Sequence, residues 1–199
     1  QGAMAAIVGL SAEALNELAA ASSQGDESCQ LANDNGAGQI VLSGHRPAVE
    51  RALAAAKARG AKLAKLLAVS APFHSALMAP AAERLRADLA AAPLRAPRLP
   101  VIANIDAAPY PADVNAQADA AAVRDRLYRQ VTGTVRWAET MTALQTAGLR
   151  TAIEVGPGRV LTGLLKRGAP DIARYNFAEP QDLIELPELD KLVAEKPAT

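Results

Sequence analysis

Between Met4 and Val69, short apolar runs and amphipathic stretches follow one another in the order strand, helix, strand, strand, helix, strand. Few arrangements bury every apolar face of that order. Met4–Leu10 is an apolar run of strand length, and Ser11 then stands where a helix N-cap belongs, ahead of Leu15 and Leu18 on one face. Cys29–Asn33 and Gln39–Ser43 are two further strands, joined by Asp34-Asn35-Gly36-Ala37-Gly38, whose glycines suit a tight reversal. Pro47 fits the first turn of a helix running through Arg59, Gly60 closes it, and Leu63–Val69 is the fourth strand. The βαββαβ series predicts a ferredoxin-like small lobe over residues 4–69, an antiparallel four-stranded sheet with both helices on one face.

The pattern changes after Ser70. A Pro-containing loop leads into an Ala-rich helix from Ala81 to Ala92, followed by the Pro-studded linker Pro93–Pro100. Val101–Ile105 reads as a strand, Ala107–Ala118 as an irregular loop, and Ala120–Gln130 and Trp137–Ala147 as helices. Thr151–Val155 is a buried-type strand that runs through Gly156-Pro157-Gly158 into a helix from Val160 to Arg167. Alternating strands and helices predict an α/β lobe with a parallel sheet over residues 70–180, incomplete at two or three strands. The charged, Pro-punctuated residues 181–199 read as a tail.

Charge excludes some functions. Lys+Arg 21 against Asp+Glu 21 leaves a formal net charge of +0, which offers no field for nucleic acid or an anionic membrane. Apolar runs such as Leu66–Val69 fall far short of the roughly 20 residues that span a bilayer. One cysteine, Cys29, supports no internal disulfide or Cys-based metal cluster, two histidines, His45 and His74, are too few for a metal site without carboxylate help, and a reducing, cytoplasmic setting is expected. Gln1-Gly2-Ala3-Met4 has no basic stretch leading into an apolar segment, unlike a secretory signal, and it enters a strand so directly that the chain is expected to begin mid-domain.

Several residues are candidates for chemistry. His74, in Val69-Ser70-Ala71-Pro72-Phe73-His74-Ser75, sits in a loop just after a strand, where α/β proteins collect functional side chains. By position alone, a loop histidine is more often a satisfied surface residue than a base. Asn33 and Asn35 lie two apart at the hairpin, so both side chains could project to one side, although asparagine also serves turns for its own sake. Gly156-Pro157-Gly158 precedes a helix, but its spacing matches no phosphate-binding fingerprint, and a structural turn is the simpler reading. Cys29 reads as a small buried hydrophobe, and His45, beside Arg46, as an exposed residue.

Four blocks, read together, carry more. They are Ala32 to Gly44, Val69 to Met78, Gln130 to Trp137, and Glu154 to Leu164, and in this order they resemble the malonyl-CoA:acyl carrier protein transacylase family of bacterial fatty acid synthesis. The resemblance covers roughly Gly2 to Pro180, the C-terminal two-thirds of such an enzyme, and the block Glu154-Val155-Gly156-Pro157-Gly158-Arg159-Val160-Leu161-Thr162-Gly163-Leu164 is its most specific part. It implies a ferredoxin-like lobe inserted into a larger α/β-hydrolase-like lobe. It also implies a serine on a G-x-S-x-G elbow that attacks the malonyl thioester, activated by a histidine that matches His74. A backbone carbonyl matching Gln130 would orient that histidine, and Asn33 and Asn35 match asparagines lining the cleft between lobes. Phe73 is compatible with a malonyl-sized pocket. Malonyl-CoA and the phosphopantetheine thiol of acyl carrier protein would be substrates, with no cofactor and no metal.

The departures from the family pattern matter equally. No G-x-S-x-G occurs, since Ser11, Ser22, Ser23, Ser28, Ser43, Ser70 and Ser75 all lack the flanking glycines. The family's malonyl-pairing arginine and N-terminal oxyanion amides fall before the matched region. A fragment lacking its nucleophile is therefore expected, either a truncated product or half of an enzyme that an N-terminal segment bearing the serine completes, and the stretch Ala107–Asp119 is given no role. The competing functions are a non-catalytic interaction module and a fragment of a polyketide synthase acyltransferase domain.

Overall fold

The computed structural model describes residues 1–95, 97–110 and 116–184, and they form two compact units that divide between Thr140 and Met141. In the first unit β1 (Gly2–Val8), α1 (Ala12–Ser22), β2 (Cys29–Asp34), β3 (Gln39–His45), α2 (Arg46–Ala58) and β4 (Leu63–Leu66) follow the expected order. The sheet order is β4-β1-β3-β2 with every neighbour antiparallel. The Ser11 hydroxyl accepts from the Ala14 N–H and caps α1, as its place before the apolar face predicts.

Strand alternation divides the sheet into two faces. Ala3, Ala5 and Ile7 of β1, Cys29 and Leu31 of β2, and Ile40 and Leu42 of β3 pack with Leu15, Leu18 and Ala19 of α1 and Ala48, Val49, Ala52 and Ala56 of α2. Both helices thus cover one face. Met4, Ala32 and Val41 form a smaller cluster on the other. Small alanines dominate the α2 contact, which lets the helix sit close on the sheet. At Gly44, opposite Cys29, an added Cβ would lie 2.0 Å from the Ser28 carbonyl oxygen, so only glycine fits between the paired strands.

A β-bulge interrupts β2, because Leu31 pairs with Leu42 while Asn33 pairs with Val41. Ala32 is the extra residue. Directly opposed residues share a face, so the bulge turns Asn33 away from the helix-covered face, where strict alternation from Leu31 would have put it, toward the face that carries Met4 and Val41.

The remaining elements of this unit are α3 (Ala79–Ala91), β5 (Ile102–Ala103), β6 (Ala108–Pro109), α4 (Ala116–Thr132), β7 (Val135–Arg136) and the start of α5 (Trp137–Thr146). The two-residue β7 pairs parallel with β2, Asn33 with Val135 and Asp34 with Arg136, and extends the sheet to five strands. Several expected boundaries move. The strand expected over Leu63–Val69 ends at Leu66, the one expected over Val101–Ile105 shrinks to two residues, and the loop expected over Ala107–Ala118 includes β6 and the first turn of α4. Positions 111–115 of that loop lie outside the described residues, as do 185–199 of the expected tail.

The second unit contains β8 (Thr151–Val155), α6 (Val160–Gly168) and β9 (Ala173–Phe177), a βαβ arrangement in which Thr151 pairs with Ala173 and Val155 with Phe177, parallel throughout. Leu164, Leu165, Ala169 and Ile172 are buried, whereas Ile153, Val155, Val160 and Leu161 are exposed. Parallel strands ordinarily have both faces covered, and this pair has not.

Candidate active site

His74 lies in the loop between β4 and a 3₁₀ turn at Ala76–Met78, and its backbone is left-handed with φ +56°. A non-glycine residue there stores strain and is held by its surroundings. Three contacts hold it. The fully buried Ser75 hydroxyl donates to the Pro72 carbonyl at 2.7 Å and closes the turn. The Gln30 side-chain amide donates to the His74 carbonyl at 3.3 Å, and its oxygen accepts the Ala76 N–H at 3.0 Å.

The ring itself meets the end of α4. Nδ1 lies 3.0 Å from the Gln130 carbonyl oxygen. A carbonyl accepts only, so Nδ1 carries the proton of the neutral ring and Nε2 is left as an acceptor. Helix geometry supplies the partner, because the last four carbonyls of a helix lack intrahelical N–H donors. Gly133 N–H takes the Arg129 carbonyl at 2.9 Å, and the Gln130 carbonyl goes to His74. The Gln130 side chain turns to the Gly133 carbonyl instead, at 3.0 Å. The negative end of the α4 dipole faces the ring. The arrangement suits a general base whose orienting group is a main-chain oxygen. Among the described residues, no serine hydroxyl bonds the ring.

Asn33 is half-buried on the sheet face opposite the helices, the face from which Gln30 reaches the His74 loop. Asn35 sits in the hairpin turn, where its N–H donates to the Gln39 carbonyl at 3.0 Å, and the Asp34 carboxylate accepts the Gly36 N–H. His45 departs from the expectation of an exposed residue. It is half-buried and its Nδ1 accepts the Ser28 N–H at 3.0 Å, because the β2–β3 pairing brings the two strand ends together. Cys29 is buried, and loss of solvent pushes its thiol up to about 11 against the smaller opposing pull of the Arg51 guanidinium.

In the second unit the turn Gly156-Pro157-Gly158 has no free anion site. Glu154, at the end of β8, places one carboxylate oxygen 3.0 Å from the Leu161 N–H and the other 2.7 Å from the Thr162 N–H, occupying the N-terminus of α6. Burial raises the Glu154 carboxyl, but the hydrogen bonds from the Thr162 hydroxyl and from the N–H groups of Thr162, Leu161 and Val160 outweigh it and hold the group below the usual carboxylate range. Asn176 of β9 donates to the Gly158 carbonyl at 2.8 Å and fixes the turn from the other side.

Sequence reasoning missed Gln30, Glu154 and Asn176. Glu154 had a local signal, an acid shortly before a helix start, whereas the partners of Gln30 lie 44 to 102 positions away and leave no trace in spacing.

Residues 1–181 match the family model described as acyl transferase domain. A malonyl CoA-acyl carrier protein transacylase of Salmonella typhimurium is 42% identical over 182 residues, 92% of this chain and 56% of the relative, and one of Bacillus subtilis strain 168 is 42% identical over the same shares. The acyl-carrier-protein-S-malonyltransferase of Bartonella henselae superimposes with a TM-score of 0.86 at 40% identity, covering 98% of this chain and 59% of that one. A malonyl-transacylase solved with its type II polyketide acyl-carrier protein gives 0.83 at 39%, covering 92% and 57%. The chain spans a little over half the length of these relatives. With a mixed α/β fold that superimposes on such structures and a family model that spans nearly every described residue, the chain belongs to the acyl transferase domain family.

Proposed function

We propose that this chain is the histidine-bearing part of a malonyl-CoA:acyl carrier protein transacylase, with residues 4–69 as a ferredoxin-like small lobe and 70–180 as part of a larger α/β-hydrolase-like lobe. The carrying observation is the His74 ring, with Nδ1–H spent on the Gln130 carbonyl at 3.0 Å and Nε2 open. A serine hydroxyl, supplied by an N-terminal segment with a G-x-S-x-G elbow, attacks the malonyl thioester carbon while Nε2 takes its proton. The tetrahedral intermediate collapses, the carbon–sulfur bond breaks, and the imidazolium returns the proton to the leaving CoA thiolate. In the second half Nε2 takes the proton of the carrier protein's phosphopantetheine thiol, sulfur attacks the malonyl-serine ester, and the proton goes back to the serine oxygen. Asn33 and Asn35 line the cleft and bond substrate or the pantetheine arm. No cofactor takes part, and the reaction belongs to cytoplasmic fatty acid synthesis. Among the described residues, no helix is long and apolar enough to cross a membrane.

Without the serine no acyl-enzyme forms, and each absent oxyanion donor is worth about 2.7 to 4 kcal/mol of transition-state stabilisation. The isolated 199-residue chain should therefore transfer malonyl at background rate. Transfer should appear when a segment bearing the elbow is added and vanish again with His74→Ala. Robust transfer by the isolated chain would refute the missing nucleophile, and unchanged transfer by the complemented His74→Ala variant would refute the histidine's role.

A further inference from the structure

Gln30 stands on β2, paired with Ser43 of β3, and the same strand is joined on its other side by β7 further along, at Asn33 and Asp34. Its amide has two N–H donors and an acceptor oxygen. One N–H goes to the His74 carbonyl and one to the Thr132 carbonyl, each at 3.3 Å, and the oxygen accepts the Ala76 N–H at 3.0 Å. These partners fix which way round the amide lies, because a flip would set oxygen against two carbonyls and nitrogen against an N–H.

The partners fall into two groups. His74 and Ala76 belong to the strained loop that carries the ring, and Thr132 is the last residue of α4, two positions beyond the carbonyl that the ring meets. One side chain therefore grips both ends of the His74–Gln130 hydrogen bond and ties them to an interior strand. Thr132, like Gln130, offers one of the otherwise unpaired carbonyls of a helix C-terminus, and Gln30 uses it as a second anchor.

We infer that Gln30 is a positioning residue that fixes the tautomer and orientation of His74 by clamping its loop to the C-terminal end of α4. The inference rests on the reading of His74 as the base only for its catalytic meaning, since the clamp itself is a statement about ring geometry.

The test is nitrogen-15 spectroscopy of the histidine rings in the 199-residue chain, wild type against Gln30→Leu and Gln30→Glu. Gln30→Leu removes all three bonds. Gln30→Glu keeps an acceptor for Ala76 but turns oxygen toward the two carbonyls. Wild-type His74 should show one neutral tautomer with the proton on Nδ1. Both variants should show averaged tautomers and roughly tenfold faster exchange of that proton, the size set by losing a net hydrogen bond or so. Protection of the Cys29 thiol establishes that each variant is folded, and the Ser28–His45 contact serves as an internal reference whose ring signal should stay put. An unchanged His74 signal in either folded variant overturns the inference, as does a wild-type ring without the Nδ1 proton. Malonyl transfer, measured after complementation, separates the two readings. A released ring with undiminished transfer leaves the clamp standing and removes His74 as the base, whereas an unmoved ring removes the clamp whatever the activity.

Discussion

Cys29 sits inside the sheet of the first unit, whereas His74 sits in a loop beyond β4. The Cys29 thiol sits among the apolar side chains under α1 and α2, and with its titration pushed up to about 11 it is neutral across the ordinary range. A raised value means that the folded state favours the protonated thiol, so this contribution is complete below the ordinary 9.0 and fades as pH rises toward 11. At pH 7.5 a maleimide should label Cys29 only as fast as the chain opens, and quickly in denaturant. Stoichiometric labelling within seconds in native buffer would contradict the packing. The buried character of Cys29 could be read from its place in an apolar strand, and so could the loop position of His74. That Gln130 should meet it came from family resemblance rather than from any local pattern, and Gln30 could not be read at all, because a glutamine on a strand shows neither what lies 44 residues ahead nor what lies 102 ahead.

Elements with strong periodicity were legible and short ones were not. The four strands and two helices of residues 2–66 follow the apolar pattern to within a few positions. β7 has two residues, too few for any alternation, and exists because β2 offers Asn33 and Asp34 a parallel partner. β9, Ala-Arg-Tyr-Asn-Phe, is half polar and becomes a strand through its pairing with β8. The bulge at Ala32 escaped for the same reason, since it is a property of two strands in register. The α6 element makes a pH-dependent prediction. Glu154 titrates below its ordinary 4.5, so it stabilises the helix start above that value and loses the effect as pH falls through its lower folded value. Amide protection factors of Leu161 and Thr162 should hold at pH 6 and drop in that acid window, and Glu154→Gln should flatten the dependence. A drop of equal size in the variant would assign the effect elsewhere.

For the molecule as a whole, stability is concentrated in the sheet of the first unit, where Ile7, Leu15, Ile40, Leu42 and Val49 are almost wholly removed from solvent. Leu42→Ala, at the centre of that core, should cost about 2 to 5 kcal/mol in chemical denaturation, the range for a buried leucine truncated in a packed interior. A loss under about 0.5 kcal/mol, the size typical of surface changes, would mean that the core is not where the cluster puts it. The His74–Gln130 contact spans 56 residues of chain, and this has a consequence in time. A ribosome adding about 5 to 20 residues per second needs roughly 3 to 11 s to make the stretch from one to the other. The four antiparallel strands, finished at Leu66, can pair before the carbonyl that orients the imidazole has been synthesised. During biosynthesis the sheet thus precedes the contact that orients the ring, and a nascent chain stalled between His74 and Gln130 would carry the four strands and an unoriented histidine.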